Sequence, residues 1–445
     1  GDHQIVYLLR LLQLLQRTDP GALDAMLGER IFSYADVPYR IRPYADLLRD
    51  ARDTIVFDRT HHEALLDRAA RQGADGKLLQ GDDGAVVHAT LLEKLLVPAL
   101  AKLSNLVPGG GIWMNTQRPE WNDANNALVG KGLSVVTTSY LRRYVAFLRE
   151  LLADAGHDEV MVTQEVHALL SAMDVILQQH RDTLQATFTD AERREVLDAL
   201  GQAASDYRWQ LYDHGISGDF VRVNVGALVA FLDLVLTYLE HTLRANKRPD
   251  GLYHAYNILS LGDDTAAVGH LYAMLEGQVA ILSSGLLSSD ETLALLRSLR
   301  QSDMYREDQH SYMLYPDRDL PGFLRKNRLT DQQVSGSRLI AKLIETGDRT
   351  LVSRDEDGII YFNGTFRNVR DVVHALDALH ARDAAWAGLV AEERDLILDL
   401  FEEVFHHSEF TGRSGTFFAY EGLGSIYWHM VSKLLLAAEE ATLTC

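Results

Sequence analysis

Two carboxylates, Glu120 and Asp123, flank a tryptophan in TQRPEWNDANNALVG, Thr116 to Gly130, with three asparagines beside them. A third, Glu421, lies between Tyr420 and Gly422 in SGTFFAYEGLGSIYWHM. Carboxylate, indole and amides on one short segment suit a sugar site. Aromatic faces stack on the C–H faces of pyranose rings, amides fork to vicinal hydroxyls, and a carboxylic acid protonates a glycosidic oxygen. An inverting pair of carboxyls stands about 6.5–9.5 Å apart, and a retaining pair about 5 Å. The separation of Glu120 and Glu421 therefore carries the chemistry.

Each of these residues also has a plainer reading. Pro119 turns Arg118 away from helical geometry, and Asn122 or Asp123 can cap the helix that follows. Capping does not account for Glu120. Glu421 can be a first-turn acid favoured by the helix dipole, with its glycines forming a turn. Three more polar loops stand out: GDHQ with Asp2 and His3, RPDGLYHAYN with Tyr253 and His254, and the long REDQHSYMLYPDRDLPGF. Asp2 can be a cap, and a lone histidine beside aromatics is more often a satisfied structural residue than a catalyst.

No HExxH or CxxC pattern marks a metal site, no glycine-rich phosphate loop is present, and no GxSxG elbow offers a nucleophile. No metal and no cofactor is expected.

The 445 residues are 47% hydrophobic and 24% charged, with a net charge of -20. That field repels phosphate backbones and anionic lipid, so nucleic-acid and membrane partners are disfavoured and a neutral oligosaccharide is favoured. A homo-oligomer is left open. Cys445 is the only cysteine, which fits a reducing, cytoplasmic setting. No apolar run approaches the roughly 20 residues of a bilayer span.

Helical periodicity has to position these loops. Leu8, Leu11, Leu12 and Leu15 form one stripe, and Leu91, Leu92, Leu95, Leu96 and Leu100 another, with Pro98 a kink. Further helices are predicted over 124–154, 160–180, 190–212, 223–245, 265–283, 289–302, 331–345, 369–382, 391–405 and 423–440. The one convincing strand, in GIIYFNG, pairs with RTLVSRDEDG as a hairpin. The expectation is an all-α, single-domain (α/α)6 toroid over 1–445, with at most a small β-hairpin insertion. The polar loops would then converge at one end of the ring.

The run from Thr90 through Trp121-Asn122-Asp123 to Val145 resembles the catalytic (α/α)6 domain of cellobiose-phosphorylase-like enzymes, which carry a GDWNDGMN-type signature between two helices. The resemblance implies that Glu120 stands where the family has its general acid, and that Asp2 binds a sugar hydroxyl. GTFFAYEGLGSIYW is similar to the family's last loop, which supplies threonine and serine to the attacking phosphate. Here those positions are Glu421 and Leu423. A carboxylate repels phosphate and activates water.

The expected function is accordingly an inverting glycoside hydrolase cleaving an oligosaccharide, a β-glucoside first among them. Glu120 is the acid, Glu421 the base, and Asp123 a second catalytic carboxylate. Substrate contacts are expected from Asp2, His3, Trp121, Asn122, Asn125, Asn126, Tyr253, His254, Tyr420 and Trp428. The alternatives are a phosphorylase using inorganic phosphate and a non-catalytic carbohydrate-binding or scaffold toroid. The family's N-terminal β-sandwich has no counterpart here, so the chain is expected to be a fragment lacking N-terminal sequence.

Overall fold

Leucine stripes at helical spacing account for most of the architecture. The computed structural model describes residues 2–50, 53–81, 83–116, 128–316, 322–405 and 423–444, with side chains from Ile5 in the first helix and from His429 to Leu443 in the last. Contacts divide the chain into two compact units. The longer helices of the first unit are α1 (Asp2–Thr18), α2 (Arg59–Gln72), α3 (Leu91–Leu103), α4 (Val135–Asp154) and α5 (Gln164–Gln179). They continue with α6 (Asp190–His214), α7 (Val225–Ala245), α8 (Leu275–Ser283) and α9 (Ser289–Gln301), and α13 (Leu423–Thr444) returns at the end. The second unit holds α10 (Arg338–Thr346), α11 (Val369–His380) and α12 (Ala384–Phe405). Its own core includes Leu339, Leu343, Phe362, Leu376, Phe401 and Phe405.

The mostly helical character matches the periodicity. The strand content exceeds the small hairpin that the sequence suggested. Strands β1 (Ala89–Thr90), β2 (Leu106–Val107), β3 (Gly111–Trp113), β4 (Gly132–Ser134), β5 (Glu159–Thr163), β6 (Phe220–Asn224), β7 (Tyr256–Leu261) and β8 (Ala266–His270) belong to the first unit. Five of them form one antiparallel sheet in the order β8-β7-β4-β3-β2. The anticipated hairpin pairs β9 (Val352–Arg354) with β10 (Ile360–Phe362) in the second unit.

The strands escaped the sequence pattern for a physical reason. β1, β4, β5 and β6 each run straight into a helix, with no intervening loop. The last strand residue is Thr90, Ser134, Thr163 or Asn224, and it becomes the helix N-cap. Thr90, Ser134 and Asn224 each accept a side-chain hydrogen bond from the backbone three residues on, satisfying one orphan helix donor. Two to five strand residues ahead of a helical stripe look like more of the stripe. The predicted helices at 160 and 223 therefore start late and residues 132–134 are a strand; over 265–283 the chain instead forms β8 at 266–270, and its helix starts only at Leu275.

Among the described residues, α7 is the one helix long and apolar enough to cross a membrane, against the expectation of none; half of that stretch is buried. Asp233 and Glu240 interrupt it, and Leu228, Phe231, Leu232, Val235, Tyr238 and Leu239 pack into the largest core.

Packing leaves little slack where α6 meets the short helix Tyr44–Arg49. Tyr44 lies against Gly201, where an added Cβ would overlap the ring. The ring is held: the Tyr44 hydroxyl donates to Asp198 at 2.8 Å, and its backbone N–H donates to the Ser205 hydroxyl at 3.0 Å. Gly201→Ala is therefore expected to destabilise the first unit by about 1–3 kcal/mol, the usual cost of overpacking. Denaturant titration checks this, and an unchanged midpoint would contradict the packing described.

Candidate functional site

The segment that carries Glu120 is tied down at both ends. It leaves β3 and returns to β4, which pair directly through Ile112 with Ser134 and Trp113 with Leu133. Beyond the strands, the Gly130 N–H donates to the Met114 carbonyl at 2.6 Å, and the Met114 N–H donates to Gly132 at 2.9 Å. The Trp113 indole donates to the Gly130 carbonyl at 3.0 Å, and the Asn115 amide to Asn105 at 2.6 Å. Gly130 has φ +90°, which favours glycine. Gly132 is hemmed in by Leu128 and Met114, leaving no room for a Cβ.

Glu120, Trp121, Asn122, Asp123, Asn125 and Asn126 lie outside the described residues, as do Tyr420 and Glu421. Asp2 and His3 fall in the first turn of α1, and Trp428 falls in the first two turns of α13. Their side chains lie outside the described part. The backbone thus gives Glu120 its anchor and gives Glu421 the helix that begins two residues later.

Tyr253 and His254 have well-defined surroundings. Tyr253 is buried, and its backbone forms a reciprocal pair with the Gln278 side chain at 2.9 and 2.7 Å. His254 is 8% exposed, its Nδ1 donates to the Leu271 carbonyl at 3.0 Å, and its ring stacks on His270 at 4.3 Å and 9°. The His270 Nδ1 donates in turn to Asn257 at 2.9 Å. The Asn257 amide donates to Gly110 and to Asn246, both at 2.7 Å. Burial, the neighbouring His270 and Arg248 push His254 down to about 4. Burial and the guanidinium groups of Arg193 and Arg248 also lower His270. Both residues sit where the chain enters β7: Tyr256 pairs with Ser134, whereas the Glu120 loop is rooted beyond Gly132 at the other end of β4.

One polar cluster was missed because 265–283 reads as a single helix, which makes Glu276 look like a mid-helix surface acid. In fact Glu276 stands in the first turn of α8, where it accepts a hydrogen bond from the Tyr256 hydroxyl at 2.9 Å. Burial and the Glu276 charge push Tyr140 up to about 12. Lys433 of α13 is lowered by burial, with Glu276 opposing the shift. Two turns further along α13, Glu440 accepts from Arg10 of α1 at 2.5 Å and Arg143 of α4 at 2.8 Å. Carboxylates, an amine, guanidiniums and phenols thus join the helices that begin at Asp2 and just after Glu421.

A cavity of about 400 Å³ in the first unit is lined by Tyr34, Tyr39, Tyr207, Tyr212, Asp58 and His61, among others. Its charges are internally matched: His61 Nε2 meets Asp36 at 2.7 Å, Arg68 meets the other Asp36 oxygen at 2.7 Å, and the Tyr34 hydroxyl donates to buried Glu93 at 2.8 Å. The residues come from distant parts of the chain, so no local motif announces the cavity.

Residues 320–408 match the family model described as GH149 phosphorylase insertion domain 2. The second unit resembles a glycoside-phosphorylase insertion domain. The match spans 89 of the 445 residues and contains α10 to α12 and the β9–β10 hairpin. It supports a carbohydrate-active, glycoside-phosphorylase-like relationship. No curated protein matches the chain.

The histidine stack generates a pH prediction. In the unfolded chain His254 takes up its proton near pH 6.5, whereas the folded protein resists this until about pH 4. Stability is complete above about pH 6.5 and declines as pH falls towards 4, by roughly 2–3 kcal/mol from His254 alone. Melting temperatures across this range should show the decline, and His254→Phe should flatten it. An equal slope in both proteins would exclude His254 as its source.

Proposed function

We propose that the chain is the catalytic part of a glycoside phosphorylase acting on a β-linked oligosaccharide, with its helices forming an (α/α)6 toroid. The match of 320–408 to a phosphorylase insertion domain carries this reading. It agrees with the Trp121-Asn122-Asp123 resemblance, which comes from a separate part of the sequence. The anchored β3–β4 root supports the mechanism, because an acid that protonates a glycosidic oxygen must be held in place.

In this mechanism Glu120 gives its proton to the glycosidic oxygen as that oxygen leaves the anomeric carbon. A phosphate oxygen attacks the same carbon from the opposite face, so a β-glucoside yields the α-configured sugar 1-phosphate and a shortened glycan. Asp123 holds sugar hydroxyls beside the acid. Trp121, Asn122, Asn125 and Asn126 contact the sugar, as do Asp2, His3, Tyr420 and Trp428. Tyr253 and His254, which have protein partners, serve this site by shaping the strand that adjoins β4.

Glu421 favours a second reading. It stands at the position of the family's phosphate-binding threonine, where a carboxylate suits water activation, and an inverting hydrolase would use it as general base.

Incubating β-gluco-oligosaccharides with and without inorganic phosphate separates the readings. Phosphorolysis gives sugar 1-phosphate and no cleavage without phosphate. Hydrolysis gives reducing sugar in either case. Sugar binding with neither product would leave the scaffold reading. Glu120→Gln should lower kcat by about 100-fold or more with little change in KM. Near-native turnover in that variant would remove Glu120 from the acid role.

A further inference from the structure

Besides the tyrosine-lined cavity, the first unit holds a groove of about 720 Å³ between α5 and α6. The two helices run in opposite directions, because α5 continues from β5, α6 leads back to β6, and those strands pair antiparallel. The apolar part of the lining is aliphatic: Ala168, Leu169 and Ala172 come from α5, and Ala199 and Ala203 from α6. Gln164 to Ala172 and Ala199 to Gln210 bound it, which is about 12 Å of α5 and about 16 Å of α6 at 1.5 Å per residue.

Polar groups complete the lining where α5 begins and α6 nears its end. Among the described residues, none that lines the groove is Lys, Arg or His. Glu165 Oε1 accepts from the Ser217 N–H at 2.7 Å, whereas its Oε2 is buried and meets no donor among the described residues. Asp206 accepts from the Gln202 amide at 2.7 Å, which leaves the Gln202 carbonyl as a further acceptor. Burial and the charges of Glu93 and Glu165 push the Tyr207 hydroxyl up, so it stays neutral.

These groups select a ligand by its chemistry. A pyranose ring needs aromatic faces, and Tyr207 is the one aromatic side chain among the described residues that line the groove. An anion is repelled by two carboxylates. An alkyl chain suits the alanines, and a cationic donor relieves the unpaired oxygen of Glu165.

We propose that the groove binds a linear aliphatic amine, its ammonium held by Glu165 and Asp206 and its methylenes lying along the alanines. Such an amine is charged at neutral pH, as lysine is, and carries three donors for these acceptors.

Diffuse attraction of cations to a chain of net charge -20 is screened at physiological salt, where the Debye length is about 8 Å. Calorimetry of the 445-residue chain at that salt, with propylamine, butylamine, pentylamine and hexylamine, tests the proposal. The expected result is one saturable site per chain, with affinity rising roughly threefold to fourfold for each added methylene. The matched alcohols should bind at least tenfold more weakly. Glu165→Gln can keep the Ser217 hydrogen bond through its carbonyl and should weaken hexylamine binding at least tenfold. Glu150→Gln, an equal loss of charge at an exposed position of α4, should leave it unchanged. The alcohol comparison uses the unaltered protein, so it decides even if a variant folds poorly. Absence of saturable amine binding overturns the proposal. So does equal binding of the alcohols, an equal loss in both variants, or an affinity indifferent to chain length.

Discussion

The side chain of Asn257 is the constraint on which the sheet depends. It is fully buried and makes three hydrogen bonds to three different parts of the fold. One goes to Gly110 in the turn between β2 and β3, one to Asn246 at the C-cap of α7, and one comes from His270 at the end of β8. Left unpaired, such an amide would cost several kcal/mol in an apolar interior. Paired, it fixes β7 against the turn, the helix end and the neighbouring strand at once. Through β7 it also fixes β4, whose start receives the loop bearing Glu120. The packing of the sheet thus extends to the place where the segment bearing Glu120 rejoins β4.

Most of the long helices were legible because they bury a leucine stripe repeated over several turns; α2, which buries only Leu65, was not. The strands were not, because most are short and four of them end on the residue that becomes the N-cap of the next helix. Nothing in a three-residue segment such as Gly132–Ser134 distinguishes a strand from the first turn of Val135–Asp154. The hairpin at Ile360 was legible because glycines bound it on both sides. Among candidate site residues, His254 shows what local sequence leaves out. Its neighbours in the chain are a tyrosine and an alanine, yet its environment is set by His270 and Leu271, sixteen and seventeen residues on. Glu276 and Lys433 were hidden for the same reason: what relates them is the packing of α8 and α13, which no spacing rule encodes.

Two independent features of the sequence bear on the chemistry. The Trp121-Asn122-Asp123 tripeptide and the segment 320–408 are far apart in the chain, and both lead towards glycoside phosphorylases. Glu421 pulls the other way, because its charge opposes an anionic nucleophile. The charges gathered along α13 are met within the protein itself, Lys433 by Glu276 and the arginines by Glu440. α13, which starts just after Glu421, carries His429 and Lys433 in its first three turns, and two arginines meet its far end. Burial lowers the proton affinity of both His429 and Lys433, with Lys433 adding to the effect on His429.

The β3–β4 root has an evolutionary consequence. Its hydrogen bonds close at Met114 and Gly130, so the stem is complete before the loop begins. The strand pairs lie outside those two residues, whereas Leu128 between them is fully buried beside Gly132 and belongs to the scaffold. Residues 117–127 are thus the part of the segment whose exchange spares this stem. On the proposed function, glycan preference is the property that rewriting those residues changes, with the rest of the scaffold inherited intact.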